Sequence, residues 1–300
     1  MQLSSDILLG SAIGLLAALL WAMSTNVYKS QSDKATPLAI ATLKMLMSLI
    51  VMALLVVSPF RTNPFFMPVE AIGFLASSVI IGLVVGDIAF LTAQERIGVS
   101  YSYPIATTYP IFTYVIAILV VNEIVLWSRF IGIFLAVIGV MLITHAQASS
   151  SNDEGESNFD KIGILLSLFT AICWSVGSVL LQIGVLNVDP VDANFIRMIF
   201  GWCVIAPVYL GSVGQGMHQP SRRATMIILV AAIFGMAWGS LLYTQAVKLI
   251  GATVASVLGS VSPLFALPIS ILLLKEKSSH WSIIGALLTV TGVILVVLIV

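Results

Sequence analysis

Three charged residues lie inside apolar stretches of the sequence, where a charge must be neutralised or used. Lys44 and Arg197 each lie seven residues after a proline that opens a predicted helix, and Asp87 lies inside another apolar stretch. A charge within a membrane is paired with another charge, reaches the interface or takes part in binding. We therefore expect Asp87 either to form a salt bridge with Lys44 or to serve as a proton-coupling residue.

The sequence contains two copies of one pattern. An ungapped shift of 153 positions places Trp21, Pro37, Lys44, Gly82, Pro110 and Gly139 on Trp174, Pro190, Arg197, Gly235, Pro263 and Gly292. Such self-similarity indicates two equivalent structural units. At the position of Asp87 the second copy has Ser240, so Arg197 lacks a matching acid. Arg197 is the stronger candidate for binding a carboxylate or phosphate through its planar guanidinium, and Lys44 is a second candidate. The alternative for both is a cation that reaches the interface.

A stripe of polar and aromatic side chains predicts a hydrated cavity. Its members share one face of a continuous helix, at steps of three and four residues: Ser100, Tyr103, Thr107, Pro110 and Tyr114. The second copy repeats the stripe with Thr253, Ser256, Ser260 and Pro263. Hydrogen bonding between helices is the alternative, but Pro110 and Pro263 predict helix breaks, which expose backbone at binding sites. Further candidates for the cavity wall are Trp21, Trp174, Trp238 and Tyr243.

Composition places the chain in a membrane. Hydrophobic residues make up 59% of the chain and charged residues 9%, and the mean hydropathy is +1.11. The long apolar runs favour helices, because lipid excludes open sheet edges. We predict an all-α membrane protein with ten transmembrane helices, in residues 6–28, 37–58, 69–94, 98–121, 127–146, 159–181, 190–211, 222–247, 251–274 and 280–299.

These helices divide into two repeats of five, at residues 6–146 and 159–299, joined by a polar linker at 147–158. Because five is odd, the second repeat enters the membrane from the opposite side. The repeats are therefore inverted around a central cavity, an architecture typical of secondary transporters. Glu123 and Glu276 end the fourth and ninth spans, where we expect a structural role in the following hairpin.

Several functions are disfavoured by the residues present. The formal net charge is zero, which indicates no nucleic-acid partner. His145, His218 and His280 are far apart in sequence, so we expect no metal, no cofactor and no catalytic site. An intramembrane enzyme or a scaffold is the remaining alternative from another class. The expected partners are the lipid bilayer and a small-molecule substrate, and the expected state is a monomer or a weak homodimer.

The two copies resemble the EamA domain of the drug/metabolite transporter superfamily. The resemblance is carried by Trp21, by Pro37 followed by Lys44, by the run from Ala93 to Ser100, by Pro110 and by Glu123 with Gly132 and Gly139, together with their partners in the second copy. It implies ten helices around a central cavity, alternating access and no catalytic residue. Most members have Arg where this chain has Lys44, and Asp87 is not part of the pattern.

The resemblance implies a secondary transporter of the plasma or inner membrane that exports a small metabolite such as an amino acid. Uptake or exchange of sugars or phosphorylated metabolites is the alternative, because more distant branches of the superfamily move such compounds. A proton or substrate gradient would drive transport, since the chain has no Gly-rich phosphate loop. The basic residues of the loops predict that both termini lie outside the cytoplasm, whereas the resemblance implies termini inside it.

Overall fold

The computed structural model of the protein describes residues 5–150, 160–265 and 280–298. Within these ranges the chain is helical and contains no strand. The helices of the first half are α1 (Ser5–Lys29), α2 (Pro37–Val56), α3 (Val69–Ser78), α4 (Gly86–Ile97), α5 (Val99–Ala106), α6 (Tyr109–Val120) and α7 (Trp127–Ser150), with a π-helical segment Val79–Val85 between α3 and α4. Those of the second half are α8 (Lys161–Val185), α9 (Pro190–Gly214), α10 (Arg222–Ala232), a π-helical segment Ile233–Trp238, α11 (Gly239–Ser260) and α12 (His280–Leu298).

Nine helical stretches of the described chain are long and apolar enough to cross a membrane. The prediction of an all-α, multi-pass membrane protein is therefore confirmed. The stretch Arg222–Ser260 covers 39 residues, but Gly251 within it has a non-helical φ of 77° and ψ of 164°. This glycine ends one helix and begins another, where the ninth span is predicted to start. The part of that span from residue 266 onward and Glu276 lie outside the described residues, as does linker segment 151–158, so the count of ten stays a prediction.

Polar caps set the depth of the two buried cations. Thr36 caps α2 and Asp189 caps α9, each by accepting a hydrogen bond from a backbone N–H of the first turn. A proline follows each cap, at the helix position where an N–H is not needed. Lys44 and Arg197 come seven residues after these prolines, about 10 Å along the helix axis. Both cations therefore lie well inside the membrane-spanning part of the helices.

The backbone repeats its irregularities at the spacing seen in the sequence. Gly98 has φ 73° and ψ 164°, and Gly251, 153 positions later, has φ 77° and ψ 164°. A side chain is strained at such positive φ values, so both positions call for glycine. The two π-helical segments also lie in equivalent places, after α3 and after α10. The two halves therefore share backbone features that were not visible in hydropathy alone.

The first helix of each half packs against helices of the other half. α1 packs against α11 of the other half, and α8 packs against α3 and α4. Gly10 of α1 faces the side chain of Ile250, and the equivalent Gly163 of α8 faces Ile97. Glycine allows these helices to approach closely, as small residues do in membrane bundles. Each half thus completes the core of the other.

A second close contact joins α7 to α12, the last helix of each half. Gly132 faces Gly292 and Gly139 faces Gly285 in this interface. A Cβ built on Gly285 would lie 2.6 Å from the carbonyl oxygen of Gly139. Four glycines in equivalent positions therefore hold the two backbones in contact, which explains why these glycines recur in both copies of the sequence.

Candidate binding cavity

A cavity lies between the two halves. It contains about 1190 Å³ of space, counting its open mouth, and receives side chains from both repeats. The sequence-predicted residues that line it are Trp21, Lys44, Asp87, Tyr103, Thr107, Trp174, Arg197, Tyr243 and Ser260. The structure therefore brings together the buried charges, most of the predicted aromatic residues and part of the hydroxyl stripe.

Lys44 and Asp87 form an ion pair in the cavity wall. Lys44 Nζ lies 2.7 Å from Asp87 Oδ2, and only 11% and 13% of the two side chains are exposed. The other carboxylate oxygen, Oδ1, accepts a hydrogen bond from Trp174 Nε1 at 3.1 Å. Lys44 Nζ also lies 5.2 Å from the ring centre of Tyr28, within cation–π range. The salt bridge predicted for this pair is present, and the coupling role of Asp87 stays a prediction.

Arg197 occupies the equivalent place in the second half without an acid. Its Nη1 donates hydrogen bonds to three neutral oxygens, at 3.1 Å to Asn194, 3.2 Å to Thr244 and 3.4 Å to Ser240. Arg197 is 4% exposed, and its buried Nε has no hydrogen-bond partner. The ion pairs found in the described part of the chain do not include it. It is a buried cation that the described residues orient but do not neutralise.

Aromatic rings form two groups in the cavity lining. The first contains Phe90, Tyr103, Tyr109 and Trp174, whose neighbouring ring centres are 5.1–5.9 Å apart. The second is the pair of Trp21 and Tyr243, with centres 5.1 Å apart. Such rings give a ligand a rigid apolar surface.

Hydrogen bonds from these rings join the two halves. Trp21 Nε1 donates to the carbonyl oxygen of Gly235 at 2.9 Å, and Tyr109 Oη donates to that of Ser256 at 2.7 Å. Both acceptors lie in the second half, whereas both donors lie in the first. Gly235 is in a π-helical segment, where the widened turn frees backbone oxygens for such contacts. The aromatic lining is therefore held in place by backbone that the sequence pattern does not reveal.

Some predicted site residues lie outside the cavity lining, namely Pro110, Tyr114, Trp238, Ser256 and Pro263. The predicted stripe assumes one continuous helix, but α5 ends at Ala106 and α6 begins at Tyr109. The break turns α6 relative to α5, so Tyr114 is fully buried beside the next hairpin instead. Its Oη accepts a hydrogen bond from the backbone N–H of Leu126 at 2.8 Å.

Trp238 and Ser256 take other positions for similar reasons. Trp238 ends a π-helical segment and is 40% exposed, because the extra residue in a π turn changes the direction of the side chains that follow. Ser256 is buried, and its Oγ donates to the carbonyl oxygen of Thr253 within the same helix. Pro110 lies in the first turn of α6, and Pro263 follows the end of α11, so each proline lies beside a break rather than against the cavity.

Three polar residues of the cavity lining that lie outside the predicted stripe carry buried polar atoms without a partner. Tyr28 Oη, Ser78 Oγ and Gln94 Nε2 are buried atoms without hydrogen-bond partners. Tyr28 belongs to the polar cluster that follows Trp21, for which the sequence favours a cavity wall and an aromatic belt at the membrane interface equally. Ser78 follows another serine and Gln94 precedes the charged pair Glu95-Arg96, and neither belongs to the predicted polar stripe, so no periodic signal marks them. Only the packing of α3 and α4 brings them to the cavity.

One end of the bundle carries ties between the halves whose residue types do not recur at the equivalent positions of the other end. Gln182 Oε1 accepts a hydrogen bond from the backbone N–H of Ala252 at 2.7 Å, and the residue equivalent to Gln182 is Lys29, which cannot accept one. Arg61 Nη2 lies 2.6 Å from the buried Asp192, whose equivalent is Ala39. The two ends are therefore not interchangeable, although the repeats are similar.

Glu123 also belongs to this tied end. One of its carboxylate oxygens accepts from Arg129 at the start of α7, and the other accepts from Thr253 Oγ1 at 2.6 Å. The first contact closes the hairpin between α6 and α7, and the second joins the hairpin to the other half. The structural role predicted for Glu123 at this hairpin is therefore present in the contacts it makes.

At the opposite end, Asp160 links the start of α8 to the end of α4. Its carboxylate accepts from Arg96 Nη1 at 2.9 Å and from the backbone N–H of Ile162. The Arg96 guanidinium, followed by that backbone N–H, holds the pKa of Asp160 below its ordinary value. This surface ion pair joins the two halves at this end of the bundle.

The family of the chain follows from comparison with known proteins. Residues 8–145 and again 161–298 match the model of a family described as EamA-like transporters. The chain belongs to the EamA-like transporter family. That family is one of membrane transporters rather than enzymes, in agreement with the expectation from sequence. Together with the apolar helices, membership indicates a multi-pass protein of the cell membrane.

Individual relatives of this EamA-like chain are distant. It is 27% identical over 140 residues to the uncharacterized inner membrane transporter YhbE of Escherichia coli K12, which covers 45% of this chain and 42% of YhbE. The match thus spans less than half the length of that relative. The chain is 25% identical over 292 residues to the uncharacterized transporter sll0355 of Synechocystis, covering 92% of this chain and 86% of that protein. Human solute carrier family 35 member G1 is 30% identical over 137 residues, covering 45% of this chain and 36% of that protein.

The fold is also found among solved structures. One crystal structure matches the EamA-like chain with a TM-score of 0.76 and 16% identity, covering 97% of both chains. At this identity the match shows a shared fold. The described residues contain no group of three or more His, Cys, Asp or Glu side chains that could hold a metal ion.

Proposed function

We propose that this EamA-like protein is a secondary transporter that exports a small carboxylated metabolite, with amino acids as the first class to test. The observation that carries the proposal is Arg197, a buried guanidinium in the cavity with an unused Nε and no ion-pair partner among the described residues. A planar guanidinium binds a carboxylate through two parallel hydrogen bonds. A carboxylate ligand would supply the missing negative charge at this place.

The rest of the cavity supports a ligand with an apolar body. The ring group of Phe90, Tyr103, Tyr109 and Trp174 offers flat apolar surface, and Thr107 and Ser260 offer hydroxyl groups. Binding sites for small molecules commonly combine apolar walls with a few polar groups that fix orientation. In this arrangement the apolar walls would hold the body of the ligand, and the contact with Arg197 would fix the orientation of its carboxylate.

Alternating access between inverted repeats is the proposed mechanism. Two features support it: contacts that recur 153 positions apart, and breaks at equivalent places between α5 and α6 and after α11. Inverted repeats that enclose a site near the bilayer centre can rock around that site. The ties of Gln182 and Arg61 would hold one end closed, and release of these ties would accompany opening of that end.

A proton gradient is the proposed driving force, with Asp87 as the coupling residue. Protonation of Asp87 would release Lys44 and change the charge of the cavity wall. A structural pair is the competing role for the same contact. In proteoliposomes, Asp87→Asn should lose stimulation by a pH gradient while substrate exchange continues. Equal stimulation of the variant and the wild type would assign Asp87 to structure alone.

The proposed function is tested by flux of radiolabelled amino acids in proteoliposomes. Arg197→Gln should lower uptake at least tenfold, whereas Arg197→Lys should retain part of it, because Lys keeps the charge but loses the bidentate contact. Arg223→Gln, at an exposed position outside the cavity lining, is the matched control and should transport normally. Unchanged flux in Arg197→Gln would refute the anion site. Flux of phosphorylated sugars without flux of amino acids would show that the substrates are phosphorylated sugars and not amino acids.

A further inference from the structure

The charged side chains of the cavity do not balance. In the described lining they are Lys44, Asp87 and Arg197, which carry two positive charges and one negative charge. Lys44 and Asp87 lie 2.7 Å apart and neutralise each other. The surplus positive charge is therefore localised on Arg197.

Asp87 is fully occupied within the protein. One carboxylate oxygen contacts Lys44, and the other accepts the indole hydrogen bond of Trp174 at 3.1 Å. A cationic group of a ligand would have to displace one of these partners to reach the carboxylate. Asp87 therefore acts as an internal counter-ion rather than as an open site for an ammonium group.

The neighbours of Arg197 supply dipoles but no charge. Asn194, Ser240 and Thr244 present oxygens to Nη1 at 3.1–3.4 Å, and Ser240 occupies the position equivalent to Asp87. A charge transferred from water into a protein interior costs free energy unless a counter-charge comes with it. The cavity is thus lined by one cation that has a counter-ion, Lys44, and by one that has none among the described residues, Arg197.

We infer that Asp87 sets the net charge of the ligand by cancelling one of the two equivalent cations. The cavity is then matched to one net negative charge, so the ligand class is a carboxylate of net charge −1. A phosphate monoester, with a charge of about −1.5 to −2, brings more negative charge than the cavity can match. A neutral zwitterion leaves the positive charge of the site uncompensated.

This inference rests on the proposed function only in taking the cavity as the substrate site. It narrows the substrate class, because acidic amino acids and carboxylates without an ammonium group are favoured over neutral amino acids. It also makes Asp87 a specificity-determining residue that acts through Lys44 and does not touch the ligand.

Two isosteric substitutions shift the charge of the cavity in opposite directions. Asn194→Asp places an acid where the amide oxygen now lies 3.1 Å from Arg197, which lowers the cavity charge to zero. Asp87→Asn removes the counter-ion of Lys44, which raises the cavity charge to two positive units. Each exchange replaces an amide by a carboxylate or the reverse, so the shape of the side chain is kept.

The experiment measures the thermal unfolding of purified protein in detergent while sodium acetate or sodium sulfate replaces sodium chloride at constant ionic strength. Acetate is small enough to reach a guanidinium that is open to the cavity. Arg197→Gln gives the baseline, because these anions also stabilise proteins by exclusion from their surfaces. Above this baseline, acetate should raise the Tm of the wild type by about 2 °C or more, and sulfate should raise it no further.

The two charge variants should respond differently from the wild type. Asn194→Asp should show no acetate response above the baseline and should unfold at a higher temperature than the wild type in chloride. Asp87→Asn should respond more strongly to sulfate than to acetate. If Asp87→Asn does not purify in folded form, the comparison of Asn194→Asp with the wild type decides alone.

Three results would overturn the inference. A wild type without an acetate response would mean that Arg197 is not open to anions. An acetate response that persists in Asn194→Asp would place the free charge elsewhere. A stronger response of the wild type to sulfate would show that the cavity accepts two negative charges. Because the readout is binding, failure of flux for acidic amino acids and for carboxylates without an ammonium group, with these responses intact, would refute the proposed function and leave the charge assignment in place.

Discussion

Removal of the Asp87 carboxylate should destabilise the protein, because it leaves Lys44 as a second buried cation without a counter-ion. Breaking a buried ion pair by removing one partner costs about 3–5 kcal/mol. The side chains of this pair are 11% and 13% exposed and line a cavity, so we expect the lower end of that range, about 3 kcal/mol. The hydrogen bond from Trp174 can persist, since Asn retains an acceptor oxygen.

The assay is thermal unfolding of Asp87→Asn, Lys44→Met and the double variant in one detergent at one scan rate. At about 2.1 cal/mol/K of unfolding entropy per residue, a loss of 1 kcal/mol lowers the Tm of a 300-residue chain by roughly 1.6 °C, so Asp87→Asn should lose about 5 °C. Lys44→Met removes the stranded charge and keeps the side-chain volume. The double variant should therefore recover most of the loss, with a coupling energy of about 2–3 kcal/mol.

Two results would refute this reasoning. If Asp87→Asn unfolds within about 1 °C of the wild type, the pair is not the counter-ion arrangement that its geometry indicates. If the double variant is no more stable than Asp87→Asn, the loss arises from Asp87 itself and not from an unpaired Lys44. In either case the charge balance of the cavity would have to be recalculated.

The remaining predictions concern the contacts that assemble the halves. Gly285→Ala should destabilise the protein by at least about 1–3 kcal/mol, because the new Cβ would clash with the backbone of the facing helix. Gly73→Ala is the control, because a Cβ at Gly73 meets no atom within 4 Å, and it should be neutral or slightly stabilising in the same Tm assay. Gln182→Leu leaves a backbone N–H of α11 unpaired and should cost about 1–3 kcal/mol; a Tm equal to that of the wild type would show that this tie is dispensable. The pKa of Asp160 is lowered in the folded protein, so its ion pair with Arg96 stabilises the fold fully above the ordinary carboxyl pKa of about 4. This stabilisation is lost as the pH falls through the lower pKa of the folded state. Asp160→Asn should therefore flatten the acid limb of a curve of Tm against pH.

The repeat, the membrane class and the buried charges could be predicted from the sequence because each depends on residue type at fixed spacing. Trp21, Lys44 and their partners recur 153 positions later, and an apolar chain of this length has to form spans. The absence of an acid at Ser240 already indicated that Arg197 differs from Lys44. These inferences need only local pattern and the cost of a charge in lipid, so they did not depend on how the helices pack.

The tertiary structure decided which side chains face the cavity. Tyr114 and Trp238 were placed in the lining by helical periodicity, but a break before α6 and a π-helical segment changed their directions. Ser78 and Gln94 reach the cavity only through the packing of α3 and α4. Periodicity fixes a side chain relative to its own helix, whereas the cavity is defined by rotations between helices. Those rotations depend on backbone irregularities and on contacts between residues far apart in the chain.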